Sequence, residues 1–127
     1  MDRDRKVIQP TSLPTPSAPY SLAIRSGNLI ASAGIVSIDG EGRTVGTDVR
    51  TQTRNILETI KTILASEGTS LANVIKTTVY LTDFAHYQGM NEVYREYFPS
   101  EPPARATVGA KLVRDDWLIE IEVLAAI

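Results

Sequence analysis

Arg105, Glu120 and Glu122 are the residues of this chain on which a reaction is most readily built. A guanidinium forks onto a carboxylate through two parallel charge-assisted bonds, and a glutamate can handle water or a proton. The residue types that are scarce narrow the field. The chain has no cysteine and one histidine, His86, so thiolate nucleophiles, disulfides, Cys/His zinc sites and a triad built on a spare imidazole lack most of their material. Chemistry here must run on carboxylates, arginine, hydroxyls and backbone groups.

Strand alternation decides where these groups point. Over 104–111, Ala104, Ala106, Val108 and Ala110 face one way, and Arg105, Thr107, Gly109 and Lys111 the other. Over 117–125, Trp117, Ile119, Ile121 and Val123 form an unbroken apolar face, with Leu118, Glu120, Glu122 and Leu124 opposite. A third strand, 74–82, turns Ile75, Thr77, Val79 and Leu81 to one side and Lys76, Thr78 and Tyr80 to the other. If the apolar faces meet the helices, Arg105 and Thr107 share the uncovered face with Lys76, Thr78, Tyr80, Glu120 and Glu122. Such a face reads three ways: a solvated surface with cross-strand ion pairs, an oligomer interface, or a small-anion site. The last two are compatible.

The remaining elements follow from periodicity and punctuation. Gln9 to Pro19 carries four prolines and should form an extended arm after a short strand at 7–9. Alternation from Tyr20, broken at Ser26-Gly27-Asn28 and resumed over 29–38 with Gly34 inside, predicts a hairpin with a bulge. Apolar residues Val49, Ile56, Leu57, Ile60, Ile63 and Leu64 make one helical stripe, capped by Asp48 and stopped by Gly68. Asp83 caps a second helix whose inner face reads Phe84, Tyr87, Met90, Tyr94 and Tyr97 or Phe98, ended by Pro99 and Pro102-Pro103. The order, a hairpin followed by αβαββ, predicts an α+β domain over 1–127, its mixed sheet covered on one face by two helices.

Composition sets outer bounds. Apolar residues are 43% and charged ones 22%, as in ordinary globular chains, which excludes wholesale disorder. A formal charge of −2, without clustered Lys/Arg and aromatics, offers no footprint for nucleic acid. The charged stretch Met1 to Lys6, and the lack of an apolar run near ~18 residues, predict a cytoplasmic protein with no membrane partner.

Pro103-Ala104-Arg105-Ala106-Thr107-Val108, then Lys111 and Ile119-Glu120-Ile121-Glu122, resembles the signature region of the Rid family, the YjgF-like reactive intermediate deaminases. The resemblance extends through Pro19-Tyr20, Gly34, Gln52-Thr53-Arg54-Asn55-Ile56-Leu57, Val74-Ile75-Lys76-Thr77-Thr78-Val79 and Asn91-Glu92-Val93-Tyr94, nearly the whole chain past the arm. It implies a chorismate-mutase-like fold, a homotrimer with clefts between subunits, and cofactor-free hydrolysis of small enamine or imine carboxylates to 2-oxo acids and ammonia. By the same resemblance Arg105 matches the substrate-carboxylate clamp and Glu120 the water-orienting acid. Tyr20 matches a cleft tyrosine, Gly34 a backbone contact and Asn91 a polar pocket residue. Ala33 and Thr107 stand where better-known members carry serine and cysteine, so they bear on the pocket wall. His86 reads as a surface or capping residue and Glu122 as an interface charge. Two other functions compete: a non-catalytic trimer that binds a small carboxylate, and an RNA-cleaving or chaperone-like role, against which the acidic balance argues.

Overall fold

A computed structural model describes residues 4–127; the first three residues of the charged Met1 to Lys6 stretch lie outside it. Six strands and two helices follow one another as β1 (Lys6–Ile8), β2 (Ala23–Ser26), β3 (Leu29–Ser32), α1 (Val49–Ala65), β4 (Val74–Leu81), α2 (Tyr87–Tyr97), β5 (Ala104–Gly109) and β6 (Ile119–Ala126). They form one mixed sheet in the order β1-β2-β3-β6-β4-β5, antiparallel throughout except for the β4–β5 pair. Parallel neighbours cannot be joined by a tight turn, and α2 supplies the crossover between β4 and β5. β3 and β4 both run antiparallel to β6, hence parallel to each other, and α1 makes their crossover.

Both helices pack on one face, because only that face is apolar. Ile119, Ile121, Val123 and Ala125 of β6, with Val79 and Leu81 of β4, meet Ile56, Leu57, Ile60, Ile63 and Leu64 of α1 and Met90, Val93 and Tyr94 of α2, all buried. Full burial of one such aliphatic side chain contributes roughly 1.5–3 kcal/mol. Asp48 begins α1 by accepting from the Thr51 amide at 2.9 Å, and past its last turn Gly68 sits at φ +75°. Asp83 accepts from the Ala85 amide at 2.8 Å, opening a single 3₁₀ turn at Phe84–His86 that leads into α2. The helices approach closely at Gly89, where an added Cβ would stand 2.9 Å from Val49 Cγ1. Arg50 pairs with Glu92 at 2.7 Å and Arg54 with Glu96 at 2.9 Å along the outer side of this contact. Ser37, Gln52, Thr53 and Thr77 are polar and fully buried; of these, Gln52 donates to the carbonyls of Gly46 and Asp116 and accepts from the Leu118 amide, at 3.1, 2.9 and 2.9 Å.

The bulge expected near Gly34 is present. β3 pairs Ala31 with Leu124, and pairing resumes at Ile35 with Ile121, so Ser32, Ala33 and Gly34 oppose only Glu122 and Val123. Ser32 fills the gap, its Oγ accepting from the Val123 amide at 3.0 Å and donating to the Ala33 carbonyl at 2.8 Å. The second half of the expected hairpin is therefore shorter than its alternation suggested, since regular pairing ends at Ser32.

Three expectations about faces need correction. β5 pairs Arg105 with Thr77 and Thr107 with Val79, so both lie on the helix side of the sheet, and Ala104, Ala106 and Val108 lie on the uncovered side. β5 is an edge strand of the sheet, where an arginine on the helix side can set its guanidinium over the Tyr94 ring. In β4 a register shift between Val74 and Lys76 inserts Ile75 as an extra residue, and it is 47% exposed instead of inward-facing. Phe84, in the 3₁₀ turn, and Tyr87, the first residue of α2, are exposed at 65% and 41% instead of facing the core.

Candidate functional site

Arg105 is held on three sides by α2. Its Nη1 donates to Asn91 Oδ1 at 2.8 Å and lies 3.9 Å from Met90 Sδ, and its Nη2 donates to Tyr87 Oη at 3.2 Å. The rings of Tyr94 and Tyr87 flank the guanidinium, with centroids 4.8 and 5.7 Å from Cζ. No acidic side chain pairs with it among the described residues. The ion-pair reading is thus unsupported within the chain. Its Nε–H and one Nη2–H have no recorded acceptor among those residues, and Arg50 uses the same two nitrogens to grip Glu92. Arg105, Thr107, Phe84 and Tyr87 line an open depression of about 490 Å³. A preorganised cation with spare donors, set among rings, has the chemistry to receive a small anion.

Glu120 occupies a different place. It pairs across the sheet with Tyr80 on the uncovered face, half-buried, and burial followed by the nearby Glu122 charge pushes its carboxyl above the usual glutamate value. Glu122 in turn accepts from the Tyr80 hydroxyl. Glu120 also explains Gly34: a Cβ there would stand 2.7 Å from the glutamate's carboxyl carbon and 3.1 Å from its Cγ. Gly34 lines a second, smaller cleft of about 60 Å³ with Tyr20, Leu13, Pro14 and Ile35. Tyr20 is 56% exposed beside it. Ala33 has its amide bonded to the Leu22 carbonyl at 2.8 Å, which commits its backbone to the bulge.

The residues singled out from sequence therefore divide into two groups. Arg105, Asn91 and Thr107 form one, on the helix side at the β5 edge. Ala33, Gly34 and Glu120 form the other, at the bulge, and Tyr20 joins it only through the cleft it shares with Gly34, which Thr59 of α1 also lines. Arg105 shares a face with Thr77 and Glu120 with Tyr80, residues three apart on β4, so the two charges lie on opposite sides of one sheet. Sequence reasoning missed Tyr87 and Phe84 as pocket walls by assigning them to the core. A signal was available, since Tyr87 lies four residues before Asn91 and must share its helix face.

Residues 10–127 match the family described as endoribonuclease L-PSP. A RutC family protein of Pyrococcus horikoshii is 47% identical over 122 residues, spanning 95% of this chain and 97% of that one. The 3-aminoacrylate deaminase RutC of Acinetobacter baylyi is 43% identical, again over 95% and 97%. Among solved structures, YyfA of Yersinia pestis, a protein of the conserved Rid family, superposes with a TM-score of 0.90 at 32% identity, covering 97% and 99% of the two chains.

Proposed function

We infer the function of this chain from the family to which it belongs, the endoribonuclease L-PSP or Rid proteins, and from the two half-sites just described. The protein is a cofactor-free deaminase that hydrolyses a small enamine or imine carboxylate to the oxo acid and ammonia. The observation that carries this reading is the guanidinium of Arg105, fixed by Asn91 and Tyr87, without an acidic partner among the described residues, and open to solvent along one edge.

Each residue then has a task. Arg105 clamps the substrate carboxylate, with Thr107 in the wall beside it. Glu120 accepts a proton from a water molecule whose oxygen bonds to the C=N carbon. That proton passes to nitrogen to give a carbinolamine, Glu120 then relays the carbinolamine's hydroxyl proton to nitrogen, and the C–N bond breaks so that ammonia leaves as the carbonyl forms. An enamine first takes a proton at carbon to reach the imine. A raised carboxylate pKa makes Glu120 a stronger base once ionised. Imine hydrolysis is intrinsically easy, so positioning and proton transfer suffice. Tyr20 and the bulge around Ala33 and Gly34 wall the side nearest Glu120.

Because Arg105 and Glu120 lie on opposite faces, a working site needs the Arg105 half of one copy beside the Glu120 half of another. Two different patches meeting head to tail close into a ring, and a homotrimer is the ring proposed. The same reading extends to 3-aminoacrylate, the substrate in the name of the Acinetobacter relative, in which the carboxylate sits one bond farther from the reacting carbon. Ammonia release from freshly generated 2-imino acids and from 3-aminoacrylate, against a non-enzymatic control, tests the reaction. Arg105→Lys should lower kcat/KM roughly 10- to 150-fold, since a single point charge replaces the fork. Wild-type turnover by that variant would refute the clamp.

A further inference from the structure

Tyr87 opens α2 one helical turn before Asn91, and the two grip the same guanidinium. A guanidinium has only donors to offer, so at the 3.2 Å contact with Arg105 Nη2 the tyrosine oxygen must be the acceptor. Its own hydrogen is then directed elsewhere. Among the described residues no acceptor for it is recorded, and Tyr87 stands in the wall of the depression that also holds Arg105 and Thr107. The free O–H therefore opens beside the free N–H groups of Arg105. The neighbouring Asn91 side chain and the charge of Arg105 both draw the phenol below its usual pKa, which makes it a better donor. Phe84 limits the other side of the depression, its ring 3.0 Å from where a Cβ on Gly109 would sit.

We propose that Tyr87 is a specificity-determining residue for carboxylate substrates, donating its hydroxyl hydrogen to the same carboxylate that Arg105 clamps. This rests on the clamp reading of Arg105 and adds to it. Arginine supplies the charge and one edge of the seat, and the phenol supplies a donor that an uncharged group uses less well. A bond of this kind is made to substrate and transition state alike, because the carboxylate does not change during the reaction. Its loss should appear in KM and leave kcat nearly unchanged.

The test uses Tyr87→Phe, which keeps the ring stacked on Arg105 and removes only the hydroxyl. Pyruvate and its uncharged amide, pyruvamide, serve as unreactive probes by calorimetry, with 2-iminopropanoate generated in situ for kinetics. The expected result is a rise of roughly 10- to 100-fold in both the pyruvate Kd and the KM, with kcat and pyruvamide binding within about two-fold of wild type. Equal weakening of pyruvate and pyruvamide would overturn the proposal, because it would make Tyr87 a structural wall. Unchanged pyruvate binding in Tyr87→Phe, while Arg105→Lys weakens it, would overturn the proposal and leave the clamp standing. If Arg105→Lys also binds pyruvate as wild type does, the clamp itself is wrong and the Tyr87 role falls with it.

Discussion

Two inactive variants of this protein should repair each other. Arg105→Ala removes the proposed carboxylate seat, and Glu120→Gln removes the proposed proton acceptor while keeping its shape. Assayed well below KM, each alone should retain no more than about 1% of wild-type kcat/KM, since general-base loss costs roughly 10²–10⁴-fold and loss of a forked clamp a comparable amount. The register of β4 with its two neighbours sets Arg105 and Glu120 on opposite faces, so the proposed site would draw one of them from each of two copies. After the two variants are unfolded together in equal amounts and reassembled, a given site has an intact arginine half with probability one-half. It has an intact glutamate half with the same probability, and about one quarter of sites are whole. Ammonia release from a 2-imino acid should recover to about 25% of wild type, far above either parent. A second mixture separates the alternatives from the other side. Wild type reassembled with the double variant should give about one quarter of full activity if sites are shared, and about one half if each chain carries its own. Recovery no greater than the parental background, in samples shown by native mass spectrometry to contain mixed oligomers, would refute the shared-site reasoning.

Other expectations concern individual residues. The acid limb of the kcat/KM profile should lie above the usual glutamate value of about 4.3, and Glu122→Gln should move it downward by removing a neighbouring negative charge. Folded Glu120 holds its proton more tightly than the unfolded chain does. Its favourable contribution to stability is therefore whole below the unfolded pKa and lost as pH rises through the raised one, a loss that Glu120→Gln should abolish in melts across that range. Gly34→Ala should displace the Glu120 carboxylate and lower kcat roughly 10- to 100-fold with an unchanged circular dichroism spectrum, and wild-type kcat would show that the carboxylate position is unimportant. Gln52→Leu strands two carbonyls and one amide, and should cost about 3 kcal/mol and lower Tm by about 10 °C.

The elements were legible in the sequence wherever one periodicity ran without interruption. The α1 stripe, its Asp48 cap, and the alternation of Ile119, Ile121 and Val123 against Glu120 and Glu122 all fold as their spacing requires. The failures share a cause: alternation says which residues share a face, and not which face is covered. In β5 the two candidate faces were small alanines on one side and Arg105 with Thr107 on the other, and polarity pointed outward. At a sheet margin the covered side can take an arginine, provided aromatic rings receive its guanidinium and a helix offers acceptors. Neither condition is local to β5. The Ile75 insertion is likewise invisible from β4, since it exists only relative to the register of β6. The candidate site inherited this error: Glu120 and Arg105 were read as facing the same way, and the sheet separates them.

β6 lies between β3 and β4, although both are made before it. During synthesis, a chain that has not yet reached Ile119 holds two separate pieces: the β1-β2-β3 meander, and the β4-β5 pair with its crossover helix. They share no strand. The long-range closure that joins them is deferred to eight residues, Ile119–Ala126, which complete the sheet and deliver Glu120 to its place against Gly34 in the same event. Until then the edges of β3 and β4 that β6 will occupy are open templates for any other strand in reach, and a stall before that segment is the point in the chain's life at which mispairing threatens most.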